Sequence, residues 1–267
     1  MEKKTKYVLI SGAYGGMGYK TAKLFAEKGY TVFALDKTVK EAEENILPVS
    51  ADVTDTESLK NAFEQVKSIT SELFAILHFA GVYMLDSLVE ISEEDFDKIF
   101  KINLYGGFYI NKIFMPLLKE GSRIILTTSE LAPLDPLPFT GIYAVTKAAL
   151  DKYAYSLKME LQLLGISVSV IRAGAVSTGM LGVSTAALEK FCEKTTTYQC
   201  NAKNFREIVT RVEARSVPPE KIAEQALKIL QVKKPAFVYN VNRNPLLLLL
   251  NALPQQWQFN IIKNILK

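Results

Sequence analysis

The chain of 267 residues has a single histidine and only two cysteines, Cys192 and Cys200, with no CxxC spacing between them. That scarcity excludes a disulfide framework and a His/Cys metal site, so no metal is expected. Two ordinary thiols fit a reducing compartment, and a cytoplasmic location is the expectation. Long apolar runs are missing too. The longest, Leu246 to Leu250, falls far short of the roughly 20 residues a membrane-spanning helix requires. The apolar start from Tyr7 to Ile10 breaks at once at Ser11-Gly12, so no secretory leader is expected. Charge of one sign is also scarce: 32 basic against 28 acidic residues give +4, spread along the chain. Beyond Lys3, Lys4 and Lys6 there is no basic block, and no nucleic-acid partner is expected.

What the chain does have is apolar content, 49% of its residues, enough for one well-buried core. Apolar runs predict strands at Tyr7–Ile10, Thr31–Leu35, Ile46–Ser50, Phe74–Phe79, Arg123–Thr127 and Ile166–Ile171. Helical periodicity predicts helices through Thr21 to Phe25, over Leu59–Ile69, Phe96–Leu118 and Ile142–Leu164, and a last helix and strand within Pro219–Tyr239. Strands that are apolar throughout, alternating with helices, imply a parallel sheet covered on both faces. The expected fold is therefore α/β, one Rossmann-type doubly wound domain over 1–267 with a mostly parallel seven-stranded sheet. Residues 180–216 break the alternation and read as an insertion that covers substrate.

The first strand runs into Ser11-Gly12-Ala13-Tyr14-Gly15-Gly16-Met17-Gly18 and then into a helix. Glycines at such a turn let the backbone approach a pyrophosphate, whose charge suits the unsatisfied N–H groups of a helix N-terminus. Cofactor contacts are expected from Gly12, Tyr14, Gly16, Met17 and Gly18. Asp36 ends the second strand, where a carboxylate accepts from both ribose hydroxyls and repels a 2′-phosphate. NAD is thus expected ahead of NADP. Lys37 is the counter-signal, either a phosphate contact or a solvated charge. Asp52 and Val53 follow the third strand, where Asp52 either holds the adenine amino group or caps the next turn.

Tyr143 and Lys147 stand four residues apart, on one face of the helix expected from Ile142. A free phenol titrates near 10, too high for proton exchange at neutrality. An adjacent ammonium, helped by a positively charged nicotinamide, stabilises phenolate, and bringing the phenol near 7 takes about 4 kcal/mol. By itself this spacing also fits an amphipathic surface pair.

Taken together, these motifs make the sequence resemble the short-chain dehydrogenase/reductase family over essentially its full length. The turn Ser11-Gly12-xxx-Gly16-x-Gly18 looks like the family's TGxxxGxG. Asn103, in Ile102-Asn103-Leu104, matches the family's helix asparagine, Ser129 its strand-end serine, and Tyr143-xxx-Lys147 its YxxxK. Ala173-Gly174-Ala175-Val176-Ser177-Thr178 looks like PGxVxT. The resemblance implies that Tyr143 exchanges a proton with the substrate oxygen, that Lys147 lowers its pKa and holds the ribose, and that Ser129 orients the carbonyl. Asn103 would hold the water linking Lys147 to solvent, and Ala80, Gly81, Gly174, Val176 and Thr178 would contact the nicotinamide end. Dimers or tetramers are implied as well. There are three departures. NNAG becomes His78-Phe79-Ala80-Gly81, with His78 read as structural. Ser129 lies fourteen residues before Tyr143, one more than the family spacing, so Glu130 occupies the usual position. Ala173 replaces a proline.

The segments Tyr83–Leu88, Leu131–Phe139 and Met180–Phe205 are rich in Leu, Val, Met and Phe. They suggest a hydrophobic alcohol or ketone, steroid- or retinoid-like, unless they are ordinary core. The apolar stretch from Asn244 to Lys267 either packs on the subunit or a partner subunit, or lies on a membrane surface. Two rival readings keep a similar sheet: a catalytically silent dinucleotide-binding regulator, and a methyltransferase, which has no need of the Tyr143 and Lys147 pair.

Overall fold

In each central strand successive side chains point to opposite faces, and both faces are apolar, so the sheet must be covered twice. The computed structural model describes residues 5–213 and 216–267; Lys3 and Lys4 lie outside them, as do two residues of the 180–216 segment. Seven strands form one all-parallel sheet: β1 (Lys6–Ser11), β2 (Tyr30–Asp36), β3 (Ile46–Ser50), β4 (Leu73–His78), β5 (Leu118–Thr127), β6 (Ser167–Ala173) and β7 (Val238–Val241). Their order is β3-β2-β1-β4-β5-β6-β7. Leu9, Phe33 and Ile76 enter one core layer with residues of α2 (Thr56–Lys67), α4 (Gly106–Phe114) and α5 (Gly141–Leu161). Val8, Ile10, Val32 and Leu77 enter the other, against α1 (Gly16–Glu27) and α8 (Glu220–Gln231). Each fully buried Leu, Ile or Phe of these layers stabilises the fold by about 1.5–3 kcal/mol.

The chain leaves β1 toward β2 on one side and reaches β4 by crossing to the other. The loops after β1 and β4 therefore diverge and open a crevice at the carboxyl ends of the strands. An ion pair fixes α5 beside it: Arg172 of β6 donates to both carboxylate oxygens of Asp151, at 3.0 and 2.7 Å.

Two elements differ from expectation. The helix expected over Phe96–Leu118 is divided into α3 (Glu93–Phe100), a π-helical turn (Lys101–Tyr105), α4 and a short 3₁₀ turn (Met115–Leu117), after which β5 begins at once. The wide turn sits at Asn103, whose side chain is bonded to neighbouring segments, and Pro116 ends helical hydrogen bonding. The segment expected to be irregular holds two helices, α6 (Gly179–Lys194) and α7 (Gln199–Glu213). Leu188, Phe191, Ala202 and Phe205 recur there at helical spacing and pack with Leu85, Phe139 and Leu266 in a third apolar cluster. Beyond β7 lie α9 (Pro245–Asn251) and α10 (Gln255–Leu266).

Candidate active site

The glycine turn is built for close approach. Gly12 has φ of +66°, and a Cβ there would lie 2.5 Å from the backbone nitrogen of Ala80, so the loops after β1 and β4 touch through it. A Cβ on Gly16 would strike the Thr178 side chain at 2.6 Å. Helix α1 starts at Gly16 with no side-chain cap and no acidic residue in its first turn, so its N–H groups face a cavity of about 1060 Å³. Free amides at a helix N-terminus suit an anion. Tyr14, Met17, Asp36, Asp52, Val53, Ala80, Gly81 and Thr178 line the same cavity. The donor set and the space left by the glycines fit a dinucleotide.

Asp36 is fixed at the rim, accepting from the backbone nitrogens of Tyr14 at 2.9 Å and Lys37 at 2.8 Å. Lys37 turns away from it to pair with Asp52 at 2.8 Å. Asp52 has the turn-capping role: its other oxygen accepts from the Thr54 nitrogen and hydroxyl. The Lys37 ammonium first, and then the Thr54 bonds, outweigh burial and hold its carboxyl low, at about 2.

At the other end of the crevice, Ser129 follows β5 while Tyr143 and Lys147 project from α5. The Lys147 Nζ is 5.8 Å from the centre of the Tyr143 ring and donates to the Thr127 carbonyl at 3.1 Å. The Ser129 and Tyr143 side chains line one cavity despite the longer intervening loop. Glu130 is directed elsewhere, accepting from the Asn244 nitrogen. Asn103 is buried. Its oxygen accepts from the Val82 nitrogen at 2.8 Å, and its nitrogen donates to the Val82 carbonyl at 3.0 Å and the Thr146 hydroxyl at 3.1 Å. A Cβ on Gly81 would sit 3.3 Å from the Asn103 oxygen and 3.4 Å from Lys147 Nζ, so these two groups converge where Gly81 leaves room.

A family model described as short chain dehydrogenase matches residues 6–189. The chain belongs to the short-chain dehydrogenase/reductase family. Members of that family are oxidoreductases that bind a nicotinamide cofactor. Mouse estradiol 17-beta-dehydrogenase 2 is 33% identical over 66% of this chain, and the match spans only half the length of that protein. A Bacteroides thetaiotaomicron 3-ketodihydrosphingosine reductase is 24% identical over 94% of this chain and 92% of its own length. Among solved structures, a Burkholderia cenocepacia short chain dehydrogenase in complex with NADP superposes with a TM-score of 0.74. It is 17% identical over 98% of this chain and 99% of that one, a likeness of fold.

In this short-chain dehydrogenase the surroundings of Tyr143 and Lys147 both disfavour the charged form. Burial pushes the phenol well above its ordinary value and the neighbouring Tyr83 adds to this, with the Ser129 hydroxyl acting in the opposite sense. Lys147 Nζ stands 5.8 Å from the ring centre, and burial brings its own ammonium down to about 8. A second cavity of about 220 Å³ adjoins the first, sharing Met17, Gly81, Tyr83 and Thr178. Ser129, Tyr143, Lys147, Gly174 and Val176 line it beside Leu131, Leu137, Phe205, Ile208 and Leu247. Sequence reading placed Tyr83 only in a substrate segment; its ring centre is 4.9 Å from that of Tyr143. It missed Thr146, the partner of Asn103, and Leu247, the wall supplied by α9. An aromatic two residues past the Ala80-Gly81 pair was the available signal for Tyr83; nothing local marked the others.

Proposed function

We propose that the protein is an NAD-dependent dehydrogenase that interconverts a hydrophobic secondary alcohol and its ketone, with hydroxysteroid, retinoid or long-chain molecules as examples. The observation that carries this reading is the convergence of Ser129, Tyr143 and Lys147 where a dinucleotide-sized cavity meets an apolar one. The two relatives named above act, by their names, on lipophilic substrates, which supports the same class.

Bound nicotinamide supplies the hydride chemistry and, when oxidised, a positive charge. The chain's residues do the rest. In this proposal Gly12, Tyr14, Gly16, Met17 and Gly18 hold the pyrophosphate region, Asp36 the adenosine ribose, and Asp52 and Val53 wall the adenine end. Ala80, Gly81, Gly174, Val176 and Thr178 border the nicotinamide end. Tyr143 exchanges a proton with the substrate oxygen while the Ser129 hydroxyl donates to that oxygen and fixes its direction. Because burial raises the phenol, proton transfer near neutrality needs positive charge from Lys147 and the cofactor together. Asn103, with its amide committed to Val82 and Thr146, positions the proton route at Lys147. The Asp36 carboxylate at the cavity rim supports NAD over NADP, and the neighbouring Lys37 pairs with Asp52. We place the protein in the cytoplasm as a homodimer or homotetramer; among the described residues no helix is long and apolar enough to cross a membrane.

Mixing the protein with NADH or NADPH and a panel of steroid, retinoid and long-chain ketones, and following the near-ultraviolet absorbance of the reduced cofactor, tests the reading. Oxidation of NADH in preference to NADPH with at least one ketone is expected, and Asp36→Ala should reduce that preference on the order of tenfold, the value of a charged hydrogen bond. Cofactor binding without turnover of any ketone would favour the silent regulator.

A further inference from the structure

The two helices after β7 show apolar side chains to solvent. Leu246 and Leu249 of α9 are 60% and 64% exposed, and Trp257, Phe259 and Ile265 of α10 are 62%, 62% and 54% exposed. Such a patch exceeds what scattered surface hydrophobics require. The opposite faces are engaged. Leu266 and Ile262 join the cluster with α7, and the Asn201 amide donates to the Leu266 carbonyl at 2.6 Å. Helix α9 is pinned at both ends, by Asn244 N donating to Glu130 at 2.6 Å and by the Asn251 oxygen accepting from Asp135 N at 2.6 Å. The exposed side chains are thus held outward by the packing of the others.

Charge decides what this surface fits. From Pro245 to Lys267, through α9 and α10, the sequence contains no Asp or Glu, while it carries Lys263 and Lys267, with Arg243 just ahead of α9. Along the groove beside Phe259, Asp135 is the one carboxylate against Lys263 and Lys267. Apolar side chains, a tryptophan and lysines that outnumber the carboxylates are the composition of a surface lying at the headgroup boundary of an anionic bilayer. Helix α9 also has a second face, since Leu247 lines the apolar cavity at Tyr143 while its neighbour Leu246 is exposed.

We propose that α9 and α10 form a surface that docks on an anionic lipid bilayer, with Leu247 dividing that bilayer from the substrate cavity. The docking stands on its own; the delivery of substrate past Leu247 rests on the oxidoreductase reading above. Trp257 is the only tryptophan in the chain, so its fluorescence reports on this surface alone. Vesicles of phosphatidylglycerol and phosphatidylcholine in equal parts should shift its emission to the blue and carry the protein in flotation; phosphatidylcholine alone should do neither. The double variant Leu249→Glu/Ile265→Glu should weaken partition on the order of tenfold or more, with unchanged circular dichroism and unchanged turnover of a water-soluble ketone. A wild-type protein that stays with the buffer would overturn the proposal. So would a blue shift that follows protein concentration without lipid and disappears in the double variant, which would mark the face as a contact between copies. Neither readout uses cofactor or turnover, so failure here leaves the enzymatic reading standing, and failure of that reading leaves docking standing.

Discussion

His78, the only histidine, shows how a residue can change its meaning between sequence and structure. It stands where the family has the first asparagine of NNAG. In the structure it is buried at the end of β4, its Nε2–H donating to Asn111 Oδ1 at 2.8 Å, and Asn111 in turn donates to the Tyr153 hydroxyl at 3.1 Å. Because an amide oxygen only accepts, the proton is on Nε2. Burial lowers the imidazole to about 4 from an ordinary 6.5, the Asn111 bond opposing. Between those values the unfolded chain binds a proton that the folded chain refuses. Stability therefore falls as pH drops from about 6.5 to about 4, by about 3 kcal/mol. Urea unfolding across this range should show that loss in the wild type and a flatter profile in His78→Asn. An equal acid slope in both would place the loss elsewhere. The structural role was legible because a lone histidine amid apolar residues is more useful as a neutral hydrogen-bonding group than as a charge. Its partners were not, since Asn111 and Tyr153 are distant in sequence.

At the scale of elements, the glycine turn and α1 act as one unit. A Cβ on Gly18 would lie 2.1 Å from the Gly12 carbonyl, a backbone atom that cannot step aside, so α1 would have to lift off the turn. Gly18→Ala should cost about 1–3 kcal/mol of stability as an overpacked contact and weaken dinucleotide binding. Gly29→Ala is the control: φ is +81° but the space around it is open, so about 1–2 kcal/mol of left-handed strain is expected with binding intact. Thermal unfolding and dinucleotide titration of the two variants separate the effects; equal binding losses would contradict the role of the turn. The strands, the turn and the Tyr143 helix were readable because buried strands and glycine turns leave local patterns. Helices α6 and α7 were not, as their apolar positions face a small cluster and are diluted by charged residues. The π turn at Asn103 escaped for a different reason, since it depends on bonds to Val82 and Thr146 formed only in the fold.

The whole molecule presents a second apolar face. Tyr105 and Phe108, beside the Asn103 turn, and Tyr155 and Met159 on α5 are all exposed. A self-complementary contact there would place two copies of the catalytic helix back to back. Light scattering after size exclusion should give a dimer or tetramer, and Tyr155→Glu/Met159→Glu should reduce it to a smaller species; a wild-type monomer would contradict this. Across the molecule, the shape of the crevice was legible in the order of the elements, and the raised phenol of Tyr143 was not, because desolvation depends on everything that surrounds a group.

The central claim is that Tyr143 performs the proton transfer for hydride exchange with a ketone, and the most direct measurement compares wild type with Tyr143→Phe on one confirmed substrate. The account predicts turnover lower by at least about 100-fold, with NADH affinity within a few-fold of wild type by titration. Full turnover in Tyr143→Phe would contradict it.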